Sequence, residues 1–277
     1  MKLKLFTYNV IDTPIHRLSG LTKLICFLLL TFAVMYSYDI RFILAVMVFS
    51  FIILRVSKIK FSQIKIMIIY VAIFLVTNFI LTFLFSPEYG VEIYGTRHDI
   101  LKVFGRYNLT LEQLLYQTTK VFKYGSVIPF GIIFLLTTDP SEFAASLNGV
   151  GVPYKVAYAV SLTLRYFPDI QRDYQNISQA QQARGLEMSK KAKFMNRFKN
   201  ALLIIVPLIF STLERIEYIS NAMDLRGFGK LKSRTWYSKK SMSRGDYIAI
   251  SVSLFVFAVS VLISVFINKS RFFNPFV

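Results

Sequence analysis

Charge is scarce in this chain: 17% of its 277 residues are Asp, Glu, Lys or Arg, where a soluble globular domain carries roughly 25%. Acid is scarcer still, with 15 Asp and Glu against 33 Lys and Arg, a formal net charge of +18. The single cysteine, Cys26, lies inside an apolar run and excludes a disulfide framework or a cysteine-based metal site within one chain. Two histidines, His16 and His98, leave little for a histidine-rich metal site, and no other feature asks for a cofactor. The pattern G-x-x-x-x-G-K-[ST] is missing, so no P-loop nucleotide site is expected. Gly227-Phe228-Gly229-Lys230 has the wrong spacing and no strand before it, and Leu18-Ser19-Gly20 merely precedes an apolar run. Four charges and a proline in the first twenty residues predict no cleavable signal peptide.

What the chain has is apolar length, with 55% hydrophobic residues and a mean hydropathy of +0.51. Ile66–Phe85 is twenty residues without a charge, and Tyr247–Asn268 is twenty-two. Runs of about 20 apolar residues match a bilayer core, so the sequence reads as an all-α integral membrane protein. Five spans are predicted, near 22–38, 40–56, 64–85, 121–138 and 246–268. The fourth is interrupted by Gly125, Pro129 and Gly131, which membrane helices tolerate when neighbours satisfy the freed backbone. The long spans hold almost no ionisable residue, and Asn78 is the most polar interior residue of the third.

Basic residues orient the set, because cytoplasmic connections carry the excess of Lys and Arg. Residues 1–23 sum to +3, 55–65 to +4 and 165–244 to +10, whereas 86–119 sums to −1. The N-terminus, the second connection and 165–244 are therefore expected inside, with 86–119 as a long outer loop. Lys269 and Arg271 are the two residues at odds with an outer C-terminus. The chain divides into a membrane region with four spans at 1–138, a cytoplasmic helical region at 139–245, and a final span and tail at 246–277.

The cytoplasmic region carries two amphipathic patterns. Val156, Val160, Phe167, Ile170, Tyr174 and Ile177 form one helical stripe, with Arg165 and Asp169 spaced as an i,i+4 pair on another face. Ile209, Leu213, Ile216 and Met223 form a second, after a basic linker at Lys190–Lys199. Apolar 152–164 and 201–213 are too short to span comfortably and read as roots of these helices, partly sunk in the membrane. Pro168 is expected to kink the first helix or start a new one, and Pro207 to kink the second. The helices finish alike, at Ala183-Arg184-Gly185 and Leu225-Arg226-Gly227. Ordinary helix-end chemistry accounts for either one: glycine closes a helix cheaply and arginine suits the negative end of its dipole. The doubling is what points to function.

Taken together these segments resemble the transmembrane T component of energy-coupling-factor (ECF) transporters, a family that includes the cobalt-transport membrane subunits. Thr13-Pro14-Ile15-His16-Arg17-Leu18 and Thr22-Lys23-Leu24 are similar to its opening, and Thr138-Asp139-Pro140-Ser141-Glu142 and Leu164-Arg165-Tyr166-Phe167-Pro168 to its approach to the first cytoplasmic helix. Ala180-Gln181-Gln182-Ala183-Arg184-Gly185 resembles the first Ala-Arg-Gly motif, and Ala222-Met223-Asp224-Leu225-Arg226-Gly227-Phe228 the second, with Leu225 in place of its alanine. The resemblance implies a non-catalytic scaffold in the cell membrane that joins two ABC ATPase subunits to a small membrane-embedded substrate-binding component for vitamin or metal-ion uptake. It implies that Ala183, Arg184 and Gly185 meet one ATPase and Leu225, Arg226 and Gly227 the other, with Ala183 keeping its helix end slim. The transported substrate is selected by another subunit.

Three other readings stay open on the residues themselves. Lys190, Lys191, Lys193, Arg197 and Lys199 suit a membrane anchor whose basic helices bind anionic lipid or a protein partner, at about 1 kcal/mol per cation. Nucleic acid has no recognised binding motif here. Glu214 and Glu217 are the only pair that suggests an enzyme, and helix-face salt bridging explains them. A self-sufficient secondary transporter would show paired interrupted helices, and only the fourth span is interrupted.

Overall fold

The computed structural model describes residues 13–101, 107–186, 194–231, 235–238 and 240–276. The chain packs as two units, one of Met1–Asp139 with Lys240–Val277, the other of Pro140–Lys239. All the apolar runs become helices, and the strand content among the described residues is one short hairpin.

The first unit opens with a single turn, α1 (Pro14–Arg17), and α2 (Gly20–Tyr36), whose N-cap Ser19 accepts a bond from the Thr22 amide. A tight turn leads to α3 (Ile40–Val56) and then to α4 (Phe61–Phe85). At 17 residues each, α2 and α3 rise about 25 Å, a little under the hydrocarbon thickness of about 30 Å. Among the described residues three helices are long and apolar enough to cross a membrane: α4, α6 (Leu111–Thr137) and α10 (Arg244–Leu262, continued by a π-helical turn to Ile267).

Two expectations need correction here. The fourth span begins at Leu111, ten residues before the predicted 121, because its first three turns are polar. The predicted outer loop at 86–119 is correspondingly structured. It contains α5 (Tyr89–Tyr94) and a hairpin of β1 (Asp99–Leu101) with β2 (Leu109–Thr110), paired antiparallel as Asp99 with Thr110 and Leu101 with Leu109.

The core of this unit is Leu30, Ala33 and Val34 of α2, Phe42, Ile43 and Val46 of α3, and Phe130 of α6, with Val256, Phe257 and Val259 of α10 packed against it. Polar groups stitch the layers. Ser260 donates to the Ala33 carbonyl at 2.7 Å and Ser126 to the Ile43 carbonyl at 3.3 Å. Asp246 caps α10 through the amide and hydroxyl of Ser243, and also accepts the Ser19 amide at 2.8 Å, which ties the starts of α2 and α10 together. At the other end Asp39 accepts from Arg41 and Asn268, and the Tyr38 amide bonds the Arg271 carbonyl at 2.8 Å. Burial opposes ionisation of Asp39, but the bonds from Arg41 and Asn268 outweigh it and hold the carboxyl below its ordinary range.

The polar start of α6 is explained by what it touches. Gln113 accepts the Gly90 amide and donates to the Ser86 carbonyl, Gln117 donates to the Phe79 carbonyl, and Lys120 reaches the Thr82 hydroxyl at 2.6 Å. Lys123, 2% exposed, donates to the Met35 carbonyl at 2.7 Å and lies 3.2 Å from the centre of the Tyr38 ring. Met35 is in the last turn of α2, where carbonyls lack helical partners, so the ammonium serves a group that would otherwise be orphaned in hydrocarbon. In contrast, no residue in the apolar window of α4 is buried.

The second unit holds α7 (Pro140–Gly149), α8 (Tyr154–Ala183) and α9 (Phe194–Leu225). Both long helices run continuously through Pro168 and Pro207, so Pro168 does not start a new helix. The linker expected at Lys190–Lys199 is shorter, since α9 begins at Phe194; Lys190, Lys191, Lys193 and the side chain of Arg197 lie outside the described residues.

Candidate functional site

The two Arg-Gly endings close their helices with the same hydrogen bonds. At the end of α8 the Gly185 amide bonds the Gln182 carbonyl at 3.0 Å and the Leu186 amide the Gln181 carbonyl at 3.1 Å. At the end of α9 the Gly227 amide bonds the Asp224 carbonyl and the Phe228 amide the Met223 carbonyl, both at 2.9 Å. Each pair is a Schellman closure, which needs a left-handed residue after the cap. Gly185 (φ +90°) and Gly227 (φ +70°) supply it, where a side chain would be strained. Glycine thereby fixes where Arg184 and Arg226 stand: each is the cap residue, exposed at the tip of a helix more than seven turns long. Ala183 is exposed beside Arg184, and Leu225, the departure from alanine, is 90% exposed.

The helices cross at an ion pair. Arg215 of α9 donates to Asp173 of α8 at 2.6 Å, and both side chains are about one-third exposed or less (32% and 27%). A second contact lies at the start of α8, where Tyr154 and Tyr158 pack on Phe228 with ring centroids 5.7 and 4.7 Å apart, and Tyr158 also meets Trp236. Moving from the first contact to the second runs backward along α8 and forward along α9, so the helices are antiparallel. Arg184 is the eleventh residue after Asp173, and Arg226 the eleventh after Arg215. The two arginines therefore stand on opposite sides of the crossing, each about 16 Å along its helix from it.

The crossing itself was missed by sequence reasoning, which paired Asp169 with Arg165. Asp169 instead meets Arg172 at 3.4 Å, and Asp173 is the residue that joins the helices. A carboxylate and a guanidinium 42 positions apart on different helices leave no periodic signal. The aromatic seat of Phe228 was equally invisible.

The two predicted apolar stripes are only partly covered: Val156, Phe167 and Tyr174 are exposed on α8 and Ile209, Leu213 and Ile216 on α9, whereas Val160, Ile170, Ile177 and Met223 are half-buried. Among the described residues no group of three or more His, Cys, Asp or Glu side chains is placed to hold a metal ion. The chemistry on offer is recognition: two charged tips of fixed geometry and long apolar faces left partly exposed in their own unit.

Comparison with known proteins identifies the relatives of this chain. Residues 12–237 match the model of a family described as cobalt transport protein. The chain is similar to the energy-coupling factor transporter transmembrane protein EcfT of Streptococcus thermophilus, 25% identical over 260 residues covering 90% of this chain and 94% of that one. The protein of the same name from Exiguobacterium sibiricum is 26% identical, with 87% and 91% covered. That of Leuconostoc gelidum is 29% identical over 62% of this chain and 63% of its own.

Proposed function

Because the chain belongs to the cobalt transport protein family and is a transmembrane component of an energy-coupling-factor transporter, we propose that it couples two cytoplasmic ABC ATPase subunits to a membrane-embedded substrate-binding component during micronutrient uptake. The observation that carries this reading is the symmetry of the α8–α9 pair: two identical closures, each presenting an arginine eleven residues beyond one shared crossing. A transporter driven by a pair of similar ATPases needs two similar attachment points, and a helix transmits displacement better than a loop.

In this mechanism Arg184 docks on one ATPase and Arg226 on the other. Arginine suits the task because its planar fork pairs with carboxylates or carbonyls in fixed geometry and stays charged at any working pH. Ala183 and Gly185 on one tip, Leu225 and Gly227 on the other, flank the guanidinium and shape the part that enters each groove. ATP hydrolysis belongs to the partners, and this subunit supplies no catalytic group. Closure of the ATPase pair draws the tips together, the crossing transmits the change in angle, and the exposed stripes carry it to the substrate-binding component. The +10 of residues 165–244 supports a cytoplasmic site for these helices, in the cell membrane and beside a cytoplasmic N-terminus.

Charge reversal tests the reading. Arg184→Glu and Arg226→Glu should each lower recovery of the ATPases with the tagged chain and lower uptake, and the double variant should abolish uptake while α8 and α9 stay folded. Normal uptake by the double variant would end the coupling role.

A further inference from the structure

Beyond α9 the chain packs back on α8. Phe228 is the residue whose amide completes the helix closure on the Met223 carbonyl at 2.9 Å, and its ring is held as well. It stands edge-on to the buried Tyr154, with centroids 5.7 Å apart and planes at 65°, and lies tilted against Tyr158 at 4.7 Å. In a closure of this kind the residue at that place commonly packs on its own helix; here the ring reaches the first two turns of α8. The backbone then turns at Gly229 (φ +89°) beside the Lys155 side chain. Trp236 joins the same seat: its ring is 6.3 Å from Tyr158, and its Nε1–H donates to Asn148 Oδ1 at 3.1 Å. Asn148 in turn donates to the Val152 carbonyl at 2.8 Å, across the turn between α7 and α8.

This seat is a second fastening between the helices. Tyr158 stands fifteen residues before Asp173, and Phe228 thirteen after Arg215, which sets the seat about 20 Å from the ion pair along either helix. A single fastening would let α9 turn about the ion pair; two at that separation fix its direction. Arg226 is two residues from Phe228. Its backbone is held from both sides, by the bond of its own amide to the Ala222 carbonyl at 3.2 Å and by the seated ring that follows. Aromatic pairs prefer particular ring angles, so the seat sets an orientation where an aliphatic contact would slide.

We propose that Phe228 and Trp236 are positioning residues for Arg226. Seated on Tyr154, Tyr158 and Asn148, they fasten the tip of α9 to the α7–α8 turn and aim its arginine. A partner that takes Arg226 then pulls on the start of α8 directly, and not through the crossing alone. The inference rests on the docking role proposed for Arg226 and adds to it the residues that hold the arginine in place.

The test reads each tip separately. The tagged full-length chain, in native membranes with the subunits that accompany it, carries benzoylphenylalanine in place of Leu225 or, in a second preparation, of Ala183, both exposed positions. After illumination the yield of chain crosslinked to an ATPase subunit is measured for each. Phe228→Ala should lower the yield at position 225 several-fold and leave that at 183 unchanged, whereas Phe228→Tyr, which keeps the ring, should leave both at the original level. Trp236→Phe keeps a ring and loses the bond to Asn148, and should give a smaller fall at 225 alone. Trp236 is the chain's single tryptophan, so emission from the purified chain reports the seat: Phe228→Ala should move it to longer wavelength with helix content unchanged. If that variant loses helix content, Trp236→Phe decides. A normal yield at 225 with the seat opened, or an equal fall at both positions, would overturn the inference while the docking role stands on a lowered yield in Arg226→Glu. Absence of ATPase crosslinks at both positions in the otherwise unaltered chain would bring down the docking role and this inference together.

Discussion

Lys123 and Phe210 make an instructive pair. The lysine sits in a helix of the first unit, 2% exposed, and finds a carbonyl and a ring face close by. The phenylalanine sits on α9 of the second unit and is 63% exposed, on a helix that the charge count expects at the cytoplasmic side. The usual assignment of polar outside and apolar inside is inverted in both. The first unit has lipid around it, so it must satisfy polar groups internally and can leave α4 apolar on every side. The second leaves part of its apolar stripes exposed, which on the proposed function calls for a protein partner. On that proposal one unit is completed by the bilayer and the other by partner subunits.

That contrast can be broken from the membrane side first. Lys123→Glu would set a carboxylate against the Met35 carbonyl and the Tyr38 ring face, and should cost about 3 kcal/mol or more of stability, the usual penalty for an uncompensated buried charge. Lys123→Met should cost less, about 1–3 kcal/mol, from the unsatisfied carbonyl alone. Thermal unfolding in detergent reads both, and equal midpoints for the two variants would contradict the internal-satisfaction argument. Asp246→Ala removes the cap of α10 and its bond to Ser19, for a loss of about 2 kcal/mol by the same measurement.

The second unit should respond differently. Gly185→Ala and Gly227→Ala force a side chain into left-handed backbone at about 1 kcal/mol each. They should speed amide exchange at Leu186 and Phe228, which close the two helices, without moving the midpoint of the membrane unit. A change in exchange at only one tip would break the equivalence of the closures.

The smallest effect expected is a pH dependence at His16. Burial, then the charges of Lys23 and Lys240, lower its pKa below the ordinary 6.5. The folded state therefore resists a proton that the unfolded chain accepts, and stability should fall as pH drops below about 6.5. Between pH 7.5 and 5.5 the midpoint of the wild-type protein should decline more than that of His16→Asn.

How much of this the sequence disclosed depended on whether a residue's chemistry matched its surroundings. The spans in α4 and α10 were plain because their apolar residues meet lipid on most sides. The Arg-Gly tips were plain because a glycine closure is local, fixed by bonds to carbonyls three and five positions back. The start of α6 was missed because Glu112, Gln113, Gln117 and Lys120 are buried polar residues that bond to α4, α5 and the hairpin, and hydropathy counts them as water-facing. At Pro168 a new helix start was the wrong alternative: a proline removes one amide from a helix of 30 residues, and the remaining turns outweigh that loss. The Asp173–Arg215 crossing joins distant segments and had no local signature.

The equal spacing of the arginines from that crossing makes the α8–α9 pair a balanced lever. With arms of about 16 Å, a turn of about 10° about the ion pair carries either tip through about 3 Å, close to the length of one hydrogen bond. In the proposed coupling role both tips sweep the same arc, so a partner gripping one end and a partner gripping the other would feel the same stroke. Small changes of angle at the fulcrum are thereby enough to make or break contacts at either end.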